Sequence, residues 1–208
     1  SSWLVPSRED VMAQGSYDYS TRQGIQAISW NDFHGLCKAL AQAVAPYRAE
    51  IILGVGRGGY YPATLLAHIL QTELYPVRLS RRVNDVVTHE RPQWQVRPPD
   101  VVRGRRVLVV DEISSTGETL AMARDEVQRL GASEVRSAVL YARTWSADVP
   151  DYIALISDAL ILNPWDREIY RDGRFQLHPE YAEALAYQGA PPTDVLIPAT
   201  PFERVAKG

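Results

Sequence analysis

Residues 107–120 read VLVVDEISSTGETL, and this stretch decides how the rest of the chain is understood. Its first four residues are apolar and three of them are β-branched, which is the composition of a strand buried on both faces of a parallel sheet. Asp111 and Glu112 follow at once. A hydroxyl-rich run over 114–119 then leads into an amphipathic helical pattern. Loop amides, hydroxyls and a helix N-terminus together cradle a phosphate, which makes Ser115, Thr116, Gly117, Glu118 and Thr119 a candidate anion loop. The adjacent carboxylates of Asp111 and Glu112 suit sugar hydroxyls or a hydrated metal ion, held directly or through water. A sugar phosphate satisfies both halves of such a site. Ordinary helix capping by Ser and Thr would not require two acids at the strand end.

Strand and helix patterns alternate on either side of this stretch. Upstream, Asn31 or Asp32 can cap a helix whose apolar face is Phe33, Leu36, Cys37, Leu40 and Val44, and Pro46 ends it. Residues 50–55 read as a strand, the glycine-rich loop 54–59 follows, and a helix runs from Pro62 to Gln71. A strand over 74–80 comes next. Downstream, a helix over 118–130 closes at Gly131, a strand covers 135–142 and a short apolar strand covers 159–162. The tail beyond reads as irregular apart from one short helix, 179–187. This alternation predicts an α/β fold, a parallel sheet with right-handed crossovers and ligands bound beyond the carboxyl ends of its strands. The clusters at 56–59, Arg81–Arg82, 111–119 and Arg143 each follow a strand, so they are expected to converge on one rim.

Residues 81–104 show no convincing period. They are rich in Pro and Arg, and compact domains carry such long segments chiefly as covers over active sites or as disorder. Eight arginines fall between Arg78 and Arg106 against three acids, the one local charge bias in the chain. Arginine offers bidentate donors to phosphate, so the segment is expected to be a mobile cover. The net charge of −3 gives no reason to expect nucleic acid or a membrane surface as partner. Cys37 is the only cysteine, which leaves no disulfide framework and fits a reducing, cytoplasmic setting. No apolar run is long enough to span a bilayer, and the opening residues lack the layout of a signal peptide.

The pattern of four apolar residues, two acids, an apolar residue, two variable residues and Thr-Gly-x-Thr resembles the signature of the type I phosphoribosyltransferases. The resemblance implies a central parallel sheet flanked by helices with a mobile hood over about 81–100. It also implies binding of phosphoribosyl pyrophosphate (PRPP), with Asp111 and Glu112 on the ribose hydroxyls, residues 115–119 on the 5′-phosphate, and Mg²⁺ as cofactor. Arg57-Gly58-Gly59 with Pro62 resembles the pyrophosphate loop of the xanthine–guanine and hypoxanthine branch, where a non-proline cis peptide is common and Gly56–Arg57 is the candidate. Arg81 and Arg82 would be the hood contacts to pyrophosphate. Tyr141-Ala142-Arg143 resembles the segment that recognises the exocyclic oxygen of a 6-oxopurine, and 160–166, with Leu160, Ile161 and Asp166, resembles the end of the purine pocket. The likeness covers residues 27–166 and leaves 1–26 and 167–208 as extensions. It implies a transferase acting on PRPP and a nucleobase, as a homodimer or higher homo-oligomer.

Two positions depart from that branch. Ser115 stands where many 6-oxopurine enzymes have an Asp near the purine N7, and Leu160 stands where they stack an aromatic on the base. The expectation is a 6-oxopurine acceptor. The alternatives are a non-purine acceptor, or a non-catalytic PRPP- or nucleotide-sensing protein on the same fold. Gly54-x-Gly56-x-x-Gly59 also fits the dinucleotide fingerprint, but the next strand ends in Ser80 rather than the required acid, so a dinucleotide-dependent oxidoreductase ranks last.

Overall fold

The computed structural model describes residues 24–187, apart from 84, 85 and 148. Of the expected extensions, 1–23 and 188–208 lie outside the described residues. The elements in chain order begin with β1 (Ile25–Ala27), α1 (Trp30–Val44), β2 (Ile51–Val55), α2 (Tyr60–Leu70) and β3 (Glu73–Ser80). Two short strands follow, β4 (Arg82–Val83) and β5 (Val86–Val87), then β6 (Gln93–Val96), β7 (Arg106–Ser114), α3 (Glu118–Arg129) and β8 (Glu134–Ala142). The last are β9 (Tyr152–Ile156), β10 (Leu160–Leu162), β11 (Glu168–Arg171), β12 (Arg174–Leu177) and α4 (Pro179–Tyr187). The described residues form two compact units, one of 30–80 and 92–158, the other of 24–29, 81–91 and 159–187.

The first unit is built on a six-stranded sheet in the order β6-β3-β2-β7-β8-β9, parallel throughout except for the edge strand β6. Val107, Leu108, Val109 and Val110 of β7 are fully buried, as a strand covered on both faces requires. Each such side chain contributes about 1.5–3 kcal/mol by leaving water. Ile51, Leu53 and Val55 of β2 and Val107 and Val109 of β7 pack in one core with Leu120, Ala123 and Val127 of α3. On the other face α2 packs on β2, β3 and β7, while α1 packs on α2, β8 and β9. The α1 stripe Phe33, Leu36, Cys37, Leu40 and Val44 is buried as its spacing predicts. Burial pushes the Cys37 thiol up to about 12, so it is a core group rather than a nucleophile.

Chain direction across this sheet sets the site. The β2–α2–β3 crossover moves one way along the sheet and β7–α3–β8 moves the other, so strand order reverses between β2 and β7. In open α/β sheets the crevice beyond the strand carboxyl ends at such a reversal is where ligands bind.

The second unit pairs β1 with β10 in parallel, Ile25 opposite Leu160. Ala27, Leu160, Leu162 and Leu185 form its small core, with Ile25, Leu177 and Tyr181 packed against them. β11 and β12 form a hairpin whose turn residues Asp172 and Gly173 both have positive φ, 52° and 76°. β4 and β5 form a second hairpin within 81–91.

Several of these elements differ from expectation. β7 runs three residues further than the buried run 107–110 and the first acid, to Ser114, so both acids are strand residues. β9 and β6 are full members of the sheet that the sequence did not signal. The tail read as irregular contains the β11–β12 hairpin, and the cover segment read as aperiodic contains β4, β5 and β6. Among the described residues no helix is long and apolar enough to cross a membrane.

Candidate active site

β7 carries Asp111 and Glu112 to the point of strand reversal. The Glu112 amide donates to Asp111 Oδ1 at 2.7 Å. Asp111 keeps some exposed surface, yet its carboxyl is enclosed closely enough that desolvation pushes it up to about 7, against the opposing pull of the Glu112 amide.

The 56–59 turn is stacked directly on this strand end. A Cβ at Gly58 would collide with the Glu112 carboxylate, and one at Gly59 would sit 2.9 Å from both Asp111 Cα and the Val110 carbonyl oxygen. Glycine at these two positions is therefore a condition of the close approach between turn and strand. The Gly56–Arg57 peptide is cis. The Gly56 amide donates to the Val77 carbonyl at 2.8 Å and the Tyr60 hydroxyl donates to the same oxygen at 3.2 Å, tying the turn to β3. Arg57 is exposed.

The hydroxyl-rich loop continues from β7 into α3. Gly117 adopts φ +80° at the head of α3, with the Val149 side chain filling the space a Cβ would take. The Thr116 hydroxyl accepts from the Glu118 amide at 3.4 Å. At the end of β8, Arg143 is 3% exposed; its amide donates to the Ser114 carbonyl at 3.2 Å and its Nη1 to the Ser157 carbonyl at 2.8 Å. The larger unit thus brings Arg57, Gly58, Gly59, Asp111, Glu112, Ser115, Thr116, Gly117, Glu118, Thr119 and Arg143 to the carboxyl ends of β2, β7 and β8.

The other expected site residues belong to the smaller unit. Arg81 is exposed, its carbonyl accepting from the Thr88 and His89 amides at 2.8 and 3.1 Å, and Arg82 opens β4. Leu160 is 5% exposed inside the small core, and Ile161 is also buried. Asp166 lies within 3.5 Å of the Tyr181 hydroxyl. The arginine-rich segment is divided between the two units. Arg97 pairs with Glu126 at 2.9 Å, and Arg105 and Arg106 pair with Glu50 at 3.2 and 3.6 Å, Arg106 at the opposite end of β7 from the acids.

Asp111 and Glu112 offer only oxygen donors, and no group of three or more His, Cys, Asp or Glu side chains that could hold a metal occurs among the described residues. That set fits Mg²⁺, which keeps several waters and leans on one or two carboxylates plus substrate phosphates. Sequence reading missed Val149 and Trp145, whose indole meets the Ser115 carbonyl, because their role depends on what lies opposite them in space.

Comparison with known proteins converges on one family. The model of the phosphoribosyl transferase domain matches residues 30–170. The hypoxanthine-guanine phosphoribosyltransferase of Saccharomyces cerevisiae is 29% identical over 131 residues, 54% of this chain and 59% of that protein, so the match spans well under the relative's full length. The xanthine-guanine phosphoribosyltransferase of Idiomarina loihiensis is 29% identical over 174 residues, 77% of this chain and 92% of its own. The purine phosphoribosyltransferase structure from Pyrococcus horikoshii superposes with TM-score 0.63 and 30% identity, covering 72% of this chain and 99% of that one.

Proposed function

The chain belongs to the phosphoribosyl transferase domain family, and from that premise we propose that it transfers ribose 5-phosphate from PRPP to a nucleobase of the 6-oxopurine type, releasing pyrophosphate. The observation that carries this reading is the stacking of the glycine turn at Gly58 and Gly59 on the two-acid strand end at Asp111 and Glu112, where strand order reverses. Asp111 and Glu112 hold the ribose hydroxyls, and the 115–119 loop with the α3 N-terminus holds the 5′-phosphate. The 56–59 amides and Arg57 hold the pyrophosphate. Arg143 can only donate hydrogen bonds, which suits an exocyclic oxygen on the base.

In the reaction the C1′–O bond to pyrophosphate breaks as a bond from a base ring nitrogen to C1′ forms, through an oxocarbenium-like state, and the proton of that ring nitrogen leaves to water or to the departing pyrophosphate. The protein's share is positioning and charge stabilisation rather than nucleophilic attack. Mg²⁺ bound with the substrate at Asp111 and Glu112 would neutralise charge on the leaving pyrophosphate. The single buried cysteine fits a cytoplasmic setting, and the family resemblance supports a homo-oligomer. A second reading, a PRPP- or nucleotide-sensing protein without turnover, is favoured by Ser115 in place of a carboxylate.

A screen of PRPP with nucleobases, read by pyrophosphate release, separates the two. Turnover with hypoxanthine, guanine or xanthine is expected, and PRPP binding with no turnover on any base would favour the sensor. Calorimetry on Asp111→Asn, which keeps shape and removes charge, should show PRPP affinity lowered at least tenfold, roughly the cost of one charge-assisted contact. Unchanged affinity would remove Asp111 from the site.

A further inference from the structure

The connection between β8 and β9 touches the hydroxyl-rich loop at three successive places. The Ser146 hydroxyl and the Arg143 amide both donate to the Ser114 carbonyl. Trp145 Nε1 donates to the Ser115 carbonyl at 2.8 Å. The Val149 side chain sits against Gly117. The connection is itself held from behind. Asp158 accepts from the Thr144 amide at 2.9 Å and from its hydroxyl at 2.8 Å, and Arg124 of α3 donates to the Val149 carbonyl at 3.2 Å.

Trp145 is the unusual member of this set, because the residue is 56% exposed. Its indole N–H is nonetheless fixed on a backbone carbonyl of the loop. The group it holds matters. In a trans peptide the carbonyl of one residue and the amide of the next point in opposite directions. With the Ser115 carbonyl drawn toward the indole, the Thr116 amide is turned the other way. The indole is a donor only, so it stabilises the carbonyl-facing orientation and offers nothing to the flipped one.

We propose that Trp145 is a positioning residue that locks the 115–116 peptide with its amide presented for a phosphate monoester, completing the anion cradle at the head of α3. The inference rests on the reading of 115–119 as the 5′-phosphate loop and adds a residue outside that loop which sets its geometry. It assigns to Trp145 a contribution specific to the phosphate monoester, leaving the diphosphate turn at 56–59 untouched.

The test compares wild type with Trp145→Phe, which keeps an aromatic ring and removes the donor, using ribose 5-phosphate and inorganic pyrophosphate as separate calorimetric probes. Trp145→Phe should weaken ribose 5-phosphate about fivefold or more, the scale of one lost hydrogen bond, with pyrophosphate affinity unchanged. Ser146→Ala, which removes the hydroxyl holding Ser114, should weaken the same probe to a smaller degree. In steady state the Trp145 variant should raise KM for PRPP more than it lowers kcat. Equal weakening of both probes would mean a general scaffold role and would overturn the proposal, as would unchanged ribose 5-phosphate affinity. Wild type that binds no ribose 5-phosphate would instead strike the reading of the loop, and the role of Trp145 with it.

Discussion

Asp111 concentrates the electrostatics of the larger unit. In the folded, ligand-free protein, enclosure pushes its carboxyl up to about 7 from an ordinary 3.8. Between these values the folded state holds a proton that the unfolded chain has released, so stability falls as pH rises through that window and levels off above about 7. Asp111→Asn cannot ionise and lacks this slope. Its melting temperature relative to wild type should therefore be least favourable near pH 4 and improve steadily up to about pH 7.5. Melting curves of both proteins across that range check this, and parallel profiles would mean that the carboxyl is not enclosed in solution.

Elements whose periodicity matched their burial were legible from the chain itself. The apolar run of β7, the α1 stripe and α4 at Pro179–Tyr187 lie where their residue patterns put them. The missed elements have physical reasons. β9 reads YIALI, a short apolar run without alternation, which a buried helix segment could equally present. β6 reads QWQV, an exposed edge strand whose polar residues hide the pairing with β3. The β11–β12 hairpin did carry a signal: Asp172-Gly173 is a strong turn pair for a two-residue loop, and Tyr170 and Phe175 flank it as cross-strand partners with ring centroids 5.2 Å apart. The proposed hood is the element on which the proposed function makes its clearest dynamic prediction. Among the described residues, 81–91 hold a two-residue-per-strand hairpin, a pairing that is marginal by itself in water. Amides of 81–91 should therefore exchange quickly without ligand and gain at least tenfold protection with PRPP or pyrophosphate. Equal protection in both states would argue against a closing hood.

At the scale of the whole molecule, the two departures from the purine branch fall in different units, and their consequences separate. Ser115 lies in the loop of the larger unit, outside the apolar cores. A positioned general base contributes on the order of 10²-fold, so Ser115→Asp should raise turnover of hypoxanthine or guanine by up to that factor. Leu160 is different: its side chain belongs to the four-residue core with Ala27, Leu162 and Leu185. Leu160→Trp would overpack that core and cost about 1–3 kcal/mol, more than the roughly 0.5–1.5 kcal/mol an aromatic contact to the base could return. Thermal melts should show the Leu160 variant destabilised and the Ser115 variant near wild type, while pyrophosphate release should show the gain only in Ser115→Asp. A Leu160→Trp protein that is both stable and faster would place that side chain against the base. The placement of 111–119 at a strand end and helix head was legible because one contiguous motif carries it. The burial of Leu160 in the small core was not, since a single Leu gives no sign of whether it faces a ligand or a core.

The parallel pairing of β1 with β10 joins Ile25 to Leu160 across most of the chain. During synthesis, every strand of the six-stranded sheet has left the ribosome before Leu160 does. The sheet can therefore assemble on contacts of shorter range, while β1 waits with its buried residue Ala27 unpartnered. The smaller unit closes last, and its exposed early strand is the part of the nascent chain with most need of protection from wrong pairings.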